Sequence, residues 1–435
     1  MMKELVRRAG GFWEEFFFTP TSPATVGWVR IFFGILALAW GWLNLPDLEA
    51  YFGPYGMLSP ETQSQVVPGP RIQLLALAPY SVTWLYVFFW FYMLGALFLT
   101  LGLLSRAASV VVFLGIVTFS HRNPFVLNSG DTLLRAIFFF MMFLPTGAAY
   151  SLDRLIAVAR ARKTLDHEVI VPWALRLIQI QLCICYLATA LWKTGGSTWW
   201  DGTALYYAVN LYDFQRITIP HLFDSLWAIK LFTWSTLALE IALPLLLWVP
   251  RLRYPLIASA IAFHLGIELT MNIPLFEFVM IGALLSFVLP EDFSRVSHRF
   301  AIWVGDRFLG AKLKVYFDGE CEFCRRSADV VRSLDVCGRF EWINFRKVSP
   351  SEVDHRRAEE EMLLRTSSGQ WLGGFYAFRL MSWRMPLTMP IAPLLYLPGI
   401  AQAGPWAYRW VARNRFLFLG RACDPEGGAC GIHRP

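Results

Sequence analysis

The chain has 435 residues, 56% of them hydrophobic and 16% charged, with 36 Phe and 19 Trp. A composition this apolar excludes a soluble globule of that size and indicates the multi-span helical membrane class. Lysine and arginine outnumber the acids 39 to 32, but they sit mostly in short loops between apolar runs, so the excess signals topology and no nucleic-acid partner is expected.

In chain order, residues 1–22 open with MMKELVRRAGGFWEEFFF. The basic start resembles a signal peptide, but Glu14 and Glu15 interrupt the apolar stretch and no small-residue cleavage site follows. The segment reads as an uncleaved amphipathic helix on the membrane surface. A transmembrane domain is expected over 23–296, with apolar stretches at 24–44, 81–104, 107–121, 131–149, 172–193, 226–249, 254–271 and 274–290. Roughly 17 to 25 apolar residues cross a bilayer, which gives about eight spans. The third and last are short, so seven or nine also fit.

With the N-terminus inside, the inner loops collect Lys3, Arg7, Arg8, Arg106, Arg154, Arg160, Arg162, Lys163, Arg251 and Arg253. The outer loops are longer but hold only Arg71, Arg122, Lys193, Arg216 and Lys230. The positive-inside rule then places both termini in the cytosol and the chain in the cell (inner) membrane, with any C-terminal thiols in a reducing compartment. The outer loops 45–80 and 194–225 are long and aromatic, which predicts a lid, re-entrant turns or interfacial helices facing lipid or substrate.

Charged groups at membrane depth are costly and should face the bundle interior with partners. Candidates are Arg30, Asp131, Arg135, Lys193, Glu240, His264, Glu268 and Glu277. Asp131 and Arg135 are four apart, as a neutralising intrahelical pair would be. His264 and Glu268 have the same spacing, which suits a proton relay, an oriented tautomer or a packed polar pair. Lys193 ends the fifth stretch and is followed by Thr194-Gly195-Gly196 and Trp199-Trp200-Asp201-Gly202. A terminal lysine serves as a snorkelling anchor. Glycines that admit a ligand and tryptophans that exclude water would instead make it a working base; Trp192, Gly195, Trp199 and Trp200 are then the cofactor-binding candidates.

From about residue 311 the composition changes. KLKVYFDGECEFCRRSADVVRSLDVCGRFEWINF reads as strand, turn, helix and strand, with Cys321 and Cys324 opening the helix. Their place at the positive end of the helix dipole makes Cys321 the nucleophile and Cys324 the resolving thiol, a thioredoxin-like redox dithiol. Zinc held by Cys321, Cys324, Cys423 and Cys430 is the alternative, but the second pair is separated by six residues in a Pro/Gly-rich tail, so no metal is expected. Cys183, Cys185 and Cys337 read as packing residues. PLTMPIAPLLYLPGIAQAGPWAYRWVA is apolar but broken by prolines, which predicts helices packed on the thiol domain or resting on the inner leaflet. The expected fold is a multi-span α-helical integral membrane bundle, a linker at 297–311, a C-terminal α/β thioredoxin-like domain at 312–420 and a tail at 421–435.

VGWVRIFFGI, YFGPYGMLSPE, HRNPFVLNSGDTLLR, YLATALWKTGGSTWWDGTAL, LALEIALPLLL and FHLGIELTMNIPLFEFVMIGALL occur in an order that resembles the membrane domain shared by vitamin K-dependent gamma-carboxylases and their bacterial HTTM relatives. In the carboxylases a lysine after this helix is regarded as the base that deprotonates reduced vitamin K, and Lys193 looks like that lysine. The resemblance implies a reduced quinone as cofactor, with Glu240, His264, Glu268, Asp131 and Arg135 in support. No large outer-face domain follows the helices to hold a protein substrate, which counts against glutamate carboxylation and puts a quinone-linked or lipid-linked oxidation at least level with it.

Asp318-Gly319-Glu320-Cys321-Glu322-Phe323-Cys324, with WLGGFYAFRLM, YLPGIA and YRWVARNR, resembles the DCC family of thiol-disulfide oxidoreductases, which adds Asp318 to the site. EEEMLLRTSSGQWLGG contains no proline, so the thioredoxin mode of docking a peptide at a cis-proline is not carried over. Membrane lipid, a hydrophobic small molecule and a thiol-redox protein are the expected partners. A transporter or lipid-binding protein, or a membrane-anchored redox sensor or assembly factor, are the alternative functions.

Overall fold

Each of the eight apolar stretches contains a helix in the computed structural model. After α1 (Met2–Phe18) these are α2 (Ala24–Asn44), α3 (Val82–Leu101), α4 (Ser105–Arg122), α5 (Ser129–Met141), α6 (Trp173–Thr194), α7 (Leu226–Leu246), α8 (Pro250–Thr270) and α9 (Phe276–Leu285). Five of them, α2, α3, α6, α7 and α8, are long and apolar enough to cross a membrane. The structure describes residues 2–66, 69–160, 169–217, 219, 221 and 223–415, with side chains from Gly10 onward. Arg162, Lys163, Cys423, Cys430 and the tail 421–435 lie outside the described residues. The chain divides into two compact units, 1–153 with 167–291 and 154–166 with 292–435.

In the first unit α2 packs against α3 and α9 through small residues. A Cβ on Gly34 would lie 2.8 Å from the Thr100 Cα, and one on Gly282 would lie 2.6 Å from the Phe32 ring. Helices in lipid gain little from hydrophobic burial, so close backbone approach at small residues supplies much of their packing. Arg30 is fully buried, and its guanidinium ties α2 to the turn after α5 by donating to the carbonyls of Thr146 (3.1 Å) and Tyr150 (2.5 Å). The loop at 45–80 folds into short helices at Leu48–Phe52 and Pro60–Val66. Arg122 holds it by donating to Gly53 O at 2.7 Å and Leu58 O at 2.6 Å. The loop at 194–225 contains helices Ser197–Asp201 and Ala204–Val209. Helix α1 meets α6 where Arg176 donates to Phe16 O at 3.1 Å and lies 4.9 Å from the Phe16 ring.

The expected Asp131–Arg135 pair makes no direct contact, although the two charges act on each other through space. Asp131 accepts from the Trp40 indole and from the Asn128 N–H, both at 2.8 Å, and so completes the capping box that starts α5. A first-turn carboxylate finds unpaired backbone donors behind it and turns to them. Arg135 donates instead to Thr132 Oγ1 at 3.2 Å. Asp131→Ala should therefore lower unfolding stability in detergent by about 1 to 3 kcal/mol, because it removes a cap and strands a buried indole N–H. Asp131→Asn should retain most of that stability in the same thermal melt.

The second unit includes α10 (Pro290–Phe308), β1 (Leu313–Phe317), α11 (Glu322–Leu334), β2 (Phe340–Asn344), α12 (His355–Glu360), β3 (Leu363–Arg365), β4 (Trp371–Gly373), α13 (Gly374–Arg384) and α14 (Pro398–Arg413). The sheet order is β2-β1-β3-β4, with β1 parallel to β2 and antiparallel to β3. Alternation along β1 sends Val315 to a core with Leu364 and Met381, and Tyr316 to a second core with Phe345 and Leu363. The predicted strand, helix and strand are all present. Much of the segment 297–311, expected as a linker, is helix α10. Buried Arg339 fastens it by pairing with Asp306 at 2.8 Å and donating to Gly310 O at 3.1 Å. The proline-broken stretch forms a 3-10 run, Met389–Tyr396, and α14, both packed on α13. Cys337 is buried, as a packing residue would be.

Candidate functional site

Lys193 lies in the last turn of α6. Its ammonium contacts Glu240 Oε1 on α7 and sits 4.8 Å from the centre of the Trp199 ring. The Lys193 side chain is 24% exposed and that of Glu240 7%. Glu240 Oε2 is buried without a hydrogen-bond partner among the described residues. Of the four cofactor-binding candidates, Trp199 covers the lysine and Gly195 ends the helix with its N–H on Trp192 O. Trp192, about 100° around the helix from its neighbour, is 86% exposed. Trp200 is also exposed, and its indole donates to Thr194 O at 2.7 Å.

His264 and Glu268 do not pair. Glu268 meets Arg216, whose guanidinium also donates to Asn272 Oδ1 at 3.2 Å. His264 contacts Glu277 through Nδ1 and the Tyr186 hydroxyl through Nε2, the latter at 2.7 Å. The chain reverses after Thr270, so the first turn of α9 returns beside α8 and Glu277 reaches the imidazole first. Both side chains are almost wholly buried, at 2% and 1% exposure. With Glu277 ionised and the imidazole neutral, Nδ1 carries the proton and Nε2 accepts the hydrogen bond of the Tyr186 hydroxyl, the alignment of a relay. Tyr186 precedes Lys193 by seven residues on α6, nearly two turns, so the two share a helix face. Glu240 and Glu277 both lie within electrostatic reach of its hydroxyl. Asp131 belongs to the α5 cap, Arg135 bonds to Thr132, and neither makes a described contact with either cluster.

In the second unit Asp318 directly follows β1, and Cys321 is the N-cap of α11. Asp318 is buried and accepts two hydrogen bonds from Arg346, both at 2.8 Å. It also accepts from the N–H groups of Glu320 (3.1 Å) and Cys321 (3.3 Å), which fixes the turn that presents the dithiol. Burial opposes its ionisation, but the Arg346 hydrogen bonds outweigh that and hold the carboxyl below the usual range. A hydrogen bond from Cys324 lowers the Cys321 thiol to about 6, with Arg415 adding in the same direction. Cys324 moves the opposite way, because its proton is held by Cys321 and it is the more deeply buried. Arg415 donates to the Cys324 sulfur at 3.7 Å.

A largely apolar cavity of about 390 Å³ adjoins Cys324, walled by Phe317, Phe375, Phe378 and Tyr408. Glu361 and Met362 lead into β3, and neither is a proline. The Met362 N–H is taken by the Tyr408 hydroxyl of α14 at 3.1 Å. Among the described residues no three His, Cys, Asp or Glu side chains are grouped to hold a metal.

Sequence reasoning missed Tyr186 and paired His264 with the wrong carboxylate. The available signal was the seven-residue step from Tyr186 to Lys193. Arg346 and Arg415 gave none, since each reaches the dithiol turn from a distant part of the chain.

The HTTM domain profile matches residues 18–292, and the DCC1-like thiol-disulfide oxidoreductase profile matches residues 315–421. No solved structure matches the chain. Both matches agree with the order of motifs and with the change from membrane-type helices to a mixed sheet. As residues 18–292 are more than half of its length, this multi-pass membrane protein belongs to the HTTM-domain family, with a DCC1-like thiol-disulfide oxidoreductase domain joined on its C-terminal side.

Proposed function

We propose that the membrane unit is an enzyme acting on a quinone-like or lipid-like substrate, with the Lys193–Glu240 pair taking up one proton, either on the Glu240 carboxylate or on the Lys193 amine after it has passed its own proton to Glu240, and that the second unit is a cytosolic dithiol exchanger. The observation that carries the reading is the Lys193–Glu240 pair, in which one carboxylate oxygen is buried and has no partner among the described residues. A buried acceptor of that kind costs stability until a donor arrives. The phenolic hydroxyl of a reduced quinone is such a donor, and that group when bound supplies two-electron redox chemistry. Lys193 and Glu240 then hold the released proton, Trp199 limits water at the ammonium, and the Tyr186–His264–Glu277 line offers the proton an onward route. Carboxylation of protein glutamate is not part of the proposal. The distribution of Lys and Arg supports cytosolic termini in the inner membrane.

The test is lipid extraction and mass spectrometry of the purified full chain. A quinone or a defined lipid should co-purify with the wild type and be depleted after Glu240→Leu. The same lipid profile from both proteins would remove the reading. A second reading, a membrane-anchored thiol redox protein, is favoured by the low pKa of Cys321. It requires Cys321→Ser to lose all function and Lys193→Ala to lose none.

A further inference from the structure

We infer that a second site, built by α4, α5 and the loop before α3, binds a phosphate-type anion, as a lipid headgroup or in free form. It goes beyond the reading above and uses none of the residues assigned there. A cavity of about 390 Å³, half apolar through Pro70, Pro124 and Leu127, has Arg71, Arg135, His121, Ser120 and Thr132 on its polar side, and no carboxylate among the described residues lines it. Asp131, the nearest acid on α5, has both oxygens turned to Trp40 and the helix cap. It offsets part of the positive charge from behind but presents no acceptor to the cavity.

The donors are held in place and underused. Arg71 is anchored through a 3.3 Å bond to Gln63 O, and Gln63 is itself buried and bonded to His121 O, yet the Arg71 Nε is buried with no partner among the described residues. Ser120 is 1% exposed, and its hydroxyl has no partner either. His121 Nδ1 lies 3.1 Å from the Ile72 N–H and 3.3 Å from the Ile72 carbonyl; in the tautomer that accepts the N–H, Nε2 carries the proton and is a further donor. Arg135 has one described hydrogen bond, to Thr132. Two guanidiniums, an imidazole and orphaned buried groups around one cavity match a multi-oxygen anion, since planar guanidiniums bind phosphate through paired hydrogen bonds.

The experiment uses the full chain in a neutral detergent and titrates dioctanoyl phosphatidic acid, dioctanoylglycerol and inorganic phosphate by calorimetry. Arg71→Gln/Arg135→Gln is compared with wild type, and Arg135→Lys is included as a charge-preserving variant. Wild type should bind phosphatidic acid at least about tenfold more tightly than the double variant, a change of about 1.4 kcal/mol, and more tightly than dioctanoylglycerol. The lysine variant should fall between them. Phosphatidic acid binding much better than phosphate assigns the site to a lipid headgroup, and equal binding assigns it to a free anion. Indistinguishable affinities for wild type and double variant, both with unchanged melting midpoints, would overturn the inference. So would failure of wild type to bind either anion.

Discussion

The rate at which iodoacetamide alkylates Cys321 should rise through an inflection near pH 6 and level off above it. The Cys324 thiol donates to Cys321, and the Arg415 charge stabilises the thiolate, so its pKa is about 6 against an ordinary 9. Below the inflection the thiolate is protonated and the rate should fall about tenfold per pH unit. Cys324→Ala removes the largest cause, so its inflection should move up toward the ordinary thiol range. Peptide mapping separates this signal from Cys183, Cys185 and Cys337. The sign for folding follows from the depressed value. Thiolate stabilisation is complete above the unfolded thiol's pKa, declines as pH falls through that window, and is lost below about 6. A stabilised thiolate also makes the disulfide the stronger oxidant. An inflection near that of a free cysteine, unmoved by Cys324→Ala, would disprove the proposed division of labour between the thiols.

Lys193→Ala is expected to cut turnover of the co-purifying quinone or lipid by about 10²- to 10⁴-fold, the usual contribution of a positioned base. A merely structural ion pair would also be damaged by that change, because it leaves Glu240 charged and buried. The double variant Lys193→Met/Glu240→Gln separates the cases. Removing both charges should restore the melting midpoint lost in Lys193→Met, since no unpaired charge remains. If the pair handles protons, turnover stays low after stability returns. Recovery of both together would make the pair a packing device, and the catalytic assignment would fail.

Much of the architecture was legible because lipid imposes strong rules. Long apolar runs must become helices, and a glycine turn followed by C-x-x-C marks where a strand gives way to a helix. Pairings inside the bundle were less legible. Spacing of four suggested Asp131 with Arg135 and His264 with Glu268, but a carboxylate in the first helical turn is claimed by backbone donors, and the reversal after Thr270 brings in Glu277. Such competition depends on where a helix starts and how the chain returns, which local periodicity does not encode. The same limit hid Arg346: only the parallel pairing of β1 with β2 brings it to Asp318.

Helix α8 has the least protein around it of the five long apolar helices, with 17% of its apolar window buried against 56% for α2. Lipid cannot dictate which way so bare a cylinder faces. His264, gripped from one side by a phenol and from the other by a carboxylate, acts as a locating pin that fixes the rotation of α8 about its long axis. Loss of either grip would therefore be felt as torque, turning the end of α8 where Glu268 meets Arg216 relative to the rest of the bundle.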